Sequence, residues 1–181
     1  VLSSIPMFVT PFISSSASLN DISSIAGELG KTGYRSAFFH GAPNGSMGFM
    51  AYAKAGGFEQ YYGKEEYEAS PLYRGKDDFD GTWAIWDEPF LQYYAKCMNS
   101  MEEPFVTAMF TASSHHPFNI PAEYKETFTA GGDPFLKCVQ YTDYALQQFF
   151  GYAEKQSWYD NTLFVITADH TNHSIEERYK T

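Results

Sequence analysis

The sequence predicts an α/β fold with a mostly parallel sheet covered by helices on both faces. Helix-periodic segments alternate with β-prone runs, the order expected of parallel strands joined by helical crossovers. Two of those runs, Phe105–Thr111 and Leu163–Ile166, are almost continuously apolar, as strands buried on both faces are. The chain of 181 residues suffices for one core, and its 44% hydrophobic and 18% aromatic content excludes a disordered composition.

Taken in order, Ile22, Ile25, Ala26 and Leu29 recur at i, i+3, i+4 and i+7, predicting an amphipathic helix over Asn20–Leu29, capped by Asn20 or Ser18 and ended by Gly30 and Gly33. Tyr34–Phe39 reads as a strand closing at His40-Gly41, followed by a Gly- and Asn-rich loop over Ala42–Gly48. A short helix is expected over Phe49–Ala55, stopping at Gly56-Gly57. The tyrosine-rich, turn-rich stretch Phe58–Trp86 carries no period that assigns it. Asp87, read as a cap with Glu88 and Pro89 in the first turn, opens a helix to about Ser100 that places Phe90, Leu91, Tyr94 and Met98 at helical spacing. The strand Phe105–Thr111 is stopped by the polar run to His115-His116-Pro117. Asp133-Pro134 opens the longest helix, with Phe135, Val139, Leu146, Phe149 and Phe150 on one face as far as about Lys155. After the turn Tyr159-Asp160-Asn161, Leu163–Ile166 reads as the clearest strand, ending at Ala168-Asp169-His170. No internal repeat or low-complexity segment interrupts this pattern.

Twelve basic against 22 acidic residues give a net charge of −10, a field that repels phosphate backbones and disfavours non-specific nucleic-acid binding. An anionic substrate would therefore require a local positive charge, which a bound metal ion supplies most economically. The longest strongly apolar stretch, Leu163–Ala168, is far short of the roughly 18–20 residues of a membrane-spanning helix. Cys97 and Cys138 are expected to be buried free thiols, since neither lies at zinc-ligand spacing. The chain starts at Val1 without an initiator Met and is expected to be a piece of a longer protein.

Ligands of open α/β sheets bind at the carboxyl ends of the strands, and three expected strands deliver polar residues there. His40 closes the first, His115 and His116 follow the second, and Asp169-His170 closes the third. An adjacent Asp-His pair can offer a hard carboxylate oxygen and a neutral imidazole to one divalent cation; the competing reading makes Asp169 a helix cap. Asn44–Gly48 comes close to a G-x-S-x-G nucleophile elbow, but Asn44 replaces the first glycine and Ser46 lies beyond the strand end, so a loop along a pocket wall is expected instead. No P-loop, dinucleotide fingerprint or H-E-x-x-H occurs. Tyr61, Tyr62, Trp83 and Trp86 could present stacking faces for a non-catalytic carbohydrate- or envelope-binding domain, although core packing is the favoured role.

Tyr34–Gly41, Thr111–Phe118 and Tyr159–Thr162 running into Ala168-Asp169-His170 together resemble sulfatase-family proteins of the alkaline phosphatase superfamily, in the lipoteichoic acid synthase or phosphoglycerol transferase branch. The resemblance spans nearly the whole chain. It implies a three-layer α/β/α fold, alkaline-phosphatase-like and truncated at both ends, with residues 1–181 forming part of a single catalytic domain. It implies a metal-dependent hydrolase or transferase acting on sulfate or phosphate esters, with Asp169 and His170 as ligands of a divalent metal, Mn2+ or Mg2+, or alternatively Ca2+. His40 and His115 match residues that hold the substrate, and His116 and His173 match no role. The nucleophile is expected before Val1, so this piece alone is expected to turn over no ester. The implied setting is extracytoplasmic and bacterial, with the full-length protein membrane-anchored and its substrate a small-molecule, glycan-linked or lipid-linked ester. Met47 and Phe49 depart from the Trp and Arg that synthases carry after His-Gly. Strands separated from missing partners are expected to leave an open sheet edge, favouring self-association.

Overall fold

The computed structural model describes residues 1–5, 10, 12–129 and 132–170, and is organised around β1 (Arg35–His40), in which every residue after Arg35 is buried. The strand pairs in parallel with β2 (Gln60–Tyr62) on one side and β3 (Phe105–Phe110) on the other, giving the order β2-β1-β3. Arg35 lies opposite Phe105 and His40 opposite Phe110, so β1 and β3 end level at their carboxyl edge.

Successive β1 side chains point to opposite faces, and each face has its own helical cover. Phe38 packs with Ala26 of α1 (Ile25–Gly30), Ala53 of α2 (Phe49–Ala55) and Phe58. Ala37 and Phe39 pack on the other side with Tyr67 of α3 (Lys64–Glu68), Ile85, and Phe90 and Tyr93 of α4 (Asp87–Met98). The long α5 (Pro134–Ala153) then seats Ala145, Phe149 and Ala153 against Leu91, Ala95 and Met98 of α4. The result is the expected three-layer α/β arrangement with a parallel sheet.

Several elements differ from expectation. The first helix begins at Ile25, not Asn20, because the buried Ser24 accepts the Gly27 N–H at 3.2 Å and donates its hydroxyl to the Gly56 carbonyl, a two-sided anchor. Asp87 is the first helical residue of α4 rather than its cap, which is Trp86. On α5 the buried stripe is Cys138, Tyr141, Ala145, Phe149 and Ala153, whereas Val139 is 44% exposed. Both cysteines are free, Cys138 buried and Cys97 half-buried.

The largest correction concerns Leu163–Ile166, which is not a strand. Leu163, Val165 and Ile166 are 88%, 77% and 68% exposed. Apolar continuity makes a segment competent to be a strand, but a strand exists only where a neighbour completes its ladder. Among the described residues no strand pairs with it, and only Phe164 packs inward, against Phe149, Phe150, Trp158 and Tyr159. β3 likewise pairs with β1 alone among the described residues, and all six of its residues are only half-buried. No helix of the described residues is long and apolar enough to cross a membrane.

Candidate active-site edge

β1 carries His40 to the carboxyl edge, and Gly41 turns the chain there. A Cβ on Gly41 would lie 3.2 Å from the Ile85 carbonyl oxygen and 3.3 Å from Phe90 Cγ, so glycine lets the approach to α4 close on the strand end. The Ile85 N–H donates to the Gly41 carbonyl at 2.9 Å. His40 itself is 5% exposed, its ring 4.5 Å from that of Phe49 and 5.1 Å from that of Phe110. Its Nδ1 lies 2.9 Å from the Phe110 carbonyl oxygen. A carbonyl only accepts, so Nδ1 carries the proton and Nε2 presents a lone pair. Burial pushes the His40 pKa below its ordinary value, against the opposing pull of the Phe110 carbonyl. The ring is therefore a neutral acceptor at neutral pH.

The loop after β3 is tied to α4 by Asp87. Its Oδ1 accepts the N–H groups of Ala112 at 2.9 Å and Ser113 at 3.2 Å, its Oδ2 accepts the Thr142 hydroxyl at 2.9 Å, and its own N–H donates to Ser113 Oγ at 2.9 Å. Burial raises the Asp87 pKa and these hydrogen bonds pull it back. The carboxylate thus joins β3, α4 and α5 immediately before the histidine-bearing turn. The sequence predicts only a capping role for Asp87, because its spacing from Ser113 and Thr142 carries no local signal.

His115 is exposed on that turn, its Nδ1 2.9 Å from the His116 carbonyl oxygen, so Nδ1 carries a proton and Nε2 is the nitrogen that carbonyl leaves unengaged. His40 and His115 therefore reach the same sheet edge, each engaging a backbone carbonyl through Nδ1. The His116 ring stacks edge-on to Phe118, and its backbone carbonyl serves as an acceptor.

Asp169 and His170 lie beyond the segment that forms no strand, both exposed, with His170 Nε2 3.3 Å from Asp169 Oδ2 and the His170 N–H 2.9 Å from Asp169 Oδ1. Asp169 engages its own neighbour rather than capping a described helix. His173 lies outside the described residues. One carboxylate and one imidazole have the donor chemistry of a divalent-metal site, but among the described residues no group of three or more His, Cys, Asp or Glu side chains could hold a metal ion. The pair fits as part of a ligand set. A separate cavity of about 220 Å³ beside the start of α4 is lined by Arg74, Glu88, Trp86 and Tyr124 among others, and none of His40, His115, Asp169 or His170 borders it.

Of the aromatic residues weighed as stacking faces, Tyr61 and Tyr62 lie flat on Phe38 and Phe39, at 5.8 and 4.6 Å between centroids, and Trp86 meets Tyr141 edge-on. They serve the core. Trp83 is 37% exposed and meets the His115 ring at 4.6 Å. It lies in the stretch that sequence periodicity leaves unassigned.

A helix-covered parallel sheet with His40 at one strand end and His115 on the turn beyond another defines an α/β protein of the class whose ligands bind at the strand ends. The sequence profile of the sulfatase family matches residues 2–181, and the chain belongs to that family. Lipoteichoic acid synthase 2 of Bacillus subtilis is 26% identical over 157 residues, covering 83% of this chain and 23% of the relative. The lipoteichoic acid synthase of Staphylococcus aureus is 26% identical over 145 residues, covering 77% of this chain and 22% of the relative. Among solved structures, an alkaline phosphatase superfamily protein from Vibrio parahaemolyticus superposes with a TM-score of 0.72 at 25% identity, over 88% of this chain and 38% of that one. The lipoteichoic acid synthase LtaP from Listeria monocytogenes shares the fold, with a TM-score of 0.63 at 21% identity over 76% of this chain and 34% of its own. The chain spans less than a quarter of the length of these two curated synthases.

Proposed function

We infer that residues 1–181 are part of a single sulfatase-like catalytic domain of a metal-dependent hydrolase or transferase acting on phosphate or sulfate esters. The observation that carries this reading is the pair of imidazoles, His40 and His115, each committed at Nδ1 to a backbone carbonyl and each free to accept at Nε2. A neutral Nε2 cannot donate to an ester oxyanion. It accepts from a hydroxyl, so His40 holds the alcohol part of the substrate and selects esters of hydroxylated alcohols. Phosphoglycerol-type diesters fit this preference better than simple aryl sulfates, in keeping with relatives named lipoteichoic acid synthases.

Asp169 and His170 would hold a divalent cation, Mn2+ or Mg2+ and otherwise Ca2+, jointly with groups from other segments of the protein. Such a cation neutralises the ester's charge and activates a hydroxyl nucleophile. No residue of 1–181 is assigned as that nucleophile, which would come from another segment of the full-length protein. The family resemblance supports an extracytoplasmic bacterial setting and a membrane anchor elsewhere in the full-length protein. Within this chain, Asp87 keeps the His115 turn in place and the Phe49 and Phe110 rings exclude water from one side of His40.

The test is turnover by the full-length protein of a glycerophosphate diester and an aryl sulfate, with Mn2+ or Mg2+ and with chelator. Metal-dependent cleavage of the diester, abolished by Asp169→Ala and showing a raised KM in His40→Ala, is the expected result. Turnover that ignores both chelator and Asp169→Ala would sink the reading.

A further inference from the structure

We propose that Trp83 is a positioning residue for His115, fixing its tautomer and the direction of its free nitrogen; this rests on the reading of His115 as a substrate-binding group. The indole N–H of Trp83 donates to the His116 carbonyl oxygen at 2.6 Å, the same oxygen that accepts from His115 Nδ1 at 2.9 Å. A carbonyl oxygen has two lone pairs, so one donor does not displace the other. The indole sets the carbonyl's orientation, and the second lone pair then faces the imidazole.

His115 needs such help because it is exposed. A bond from an exposed imidazole to the carbonyl of the next residue competes with water at every point and by itself selects a tautomer weakly. The Trp83 ring, 4.6 Å from the His115 ring at an interplanar angle of 68°, covers one side of it and restricts its rotation.

Trp83 is itself held firmly. Asp80 Oδ1 accepts the N–H groups of Thr82, Trp83 and Ala84 at 2.7, 2.6 and 3.2 Å, closing a tight turn. The Asp80 N–H donates to the Ala84 carbonyl at 2.9 Å, and Phe79 bridges Ile85 in antiparallel fashion. The next N–H, that of Ile85, donates to Gly41 directly after His40. The turn that carries Trp83 is thus fastened to the end of β1 and reaches across to the turn beyond β3. It couples the placement of His115 to that of His40.

The test uses the full-length protein labelled with ¹⁵N-histidine, comparing wild type with Trp83→Phe, which keeps an aromatic ring and removes the N–H. Long-range ¹H–¹⁵N spectra read the His115 tautomer directly. The expected result is a wild-type ring protonated at Nδ1 that moves to a majority Nε2–H form in Trp83→Phe. The KM for the ester should rise about fivefold, the worth of one neutral hydrogen bond, with kcat nearly unchanged. If Trp83→Phe disturbs folding, replacing Trp83 by its benzothienyl analogue removes only the N–H at constant shape. An unchanged His115 tautomer in the folded variant overturns the proposal whatever the activity. A shifted tautomer in a protein that turns over no ester upholds the positioning role and overturns the substrate reading alone.

Discussion

Two β-prone runs in this molecule lead to a histidine, and they meet opposite fates. Arg35–His40 becomes the central strand, with Phe39 fully buried and His40 5% exposed, while Leu163–Ile166, richer in aliphatic residues, stays outside the sheet with Leu163 88% exposed. The difference lies in what surrounds them. β1 has a strand on each side and helices on both faces, whereas the later run has one inward contact residue, Phe164. Burial and ladder bonds are tertiary facts, and β propensity expresses little more than readiness to receive them.

The largest effect should come from breaking the anchor at the buried end of this comparison. Asp87→Ala strands the Ala112 and Ser113 N–H groups and the Thr142 hydroxyl without their acceptor, at a cost of about 3–5 kcal/mol where each buried orphan costs about 1–3. Asp87→Asn retains one acceptor oxygen for the two backbone donors, and the Thr142 hydroxyl can turn to accept from the new amide. It should lose much less. Urea denaturation of the three proteins checks the ordering, and equal losses would mean that the hub is a packing feature rather than a hydrogen-bonded one.

Much of the architecture on the β1 side is legible from sequence because its signals are long or doubled. The nine aromatic and apolar positions named for α4 and α5 repeat at helical spacing and mark both helices, although α5 buries a different stripe; Asp133 accepts the Phe135 N–H as a cap should, and β1 and β3 fall within a residue of their expected limits. β2 is illegible for a physical reason. It has three residues, and it is a strand because Tyr61 and Tyr62 lie on Phe38 and Phe39, more than 20 positions away in sequence. The site divides the same way. That His40 and His115 fall at the sheet edge is legible because strand ends are predictable, while Trp83 reaches His116 across 33 residues and Asp87 reaches Thr142 across 55. Leu163–Ile166 is over-read because a single chain states its own propensity and not its neighbours.

A smaller effect should distinguish the two histidine-bearing ends by pH. Burial lowers the His40 pKa below 6.5, so the folded state binds fewer protons than the unfolded state once the pH falls below that value. The contribution of a neutral His40 is fully present above pH 6.5 and is lost as the pH drops from there through the folded pKa. His40→Gln, which keeps an amide N–H to reach the Phe110 carbonyl and cannot titrate, should flatten stability over that window relative to wild type. Denaturation midpoints followed downward from pH 7.5 make the comparison, and parallel profiles would show that His40 is not buried as a neutral group.

The smallest effect belongs to the exposed run. Ile166→Ser in residues 1–181 should change stability by no more than about 0.5 kcal/mol, as substitutions at exposed positions do. It should also reduce self-association, measured by sedimentation velocity, because an exposed apolar run with no strand partner among the described residues is a template for another chain. The same substitution in the full-length protein sharpens the comparison. If other segments cover this run, Ile166→Ser there should cost about 2–4 kcal/mol, the loss of a buried aliphatic side chain with a hydroxyl left in its place. A cost that grows with the added segments means that Leu163–Ile166 becomes a strand once it has a partner. A cost that stays small means that its apolar character serves an exposed surface, and that Asp169 and His170 reach any metal site from a loop.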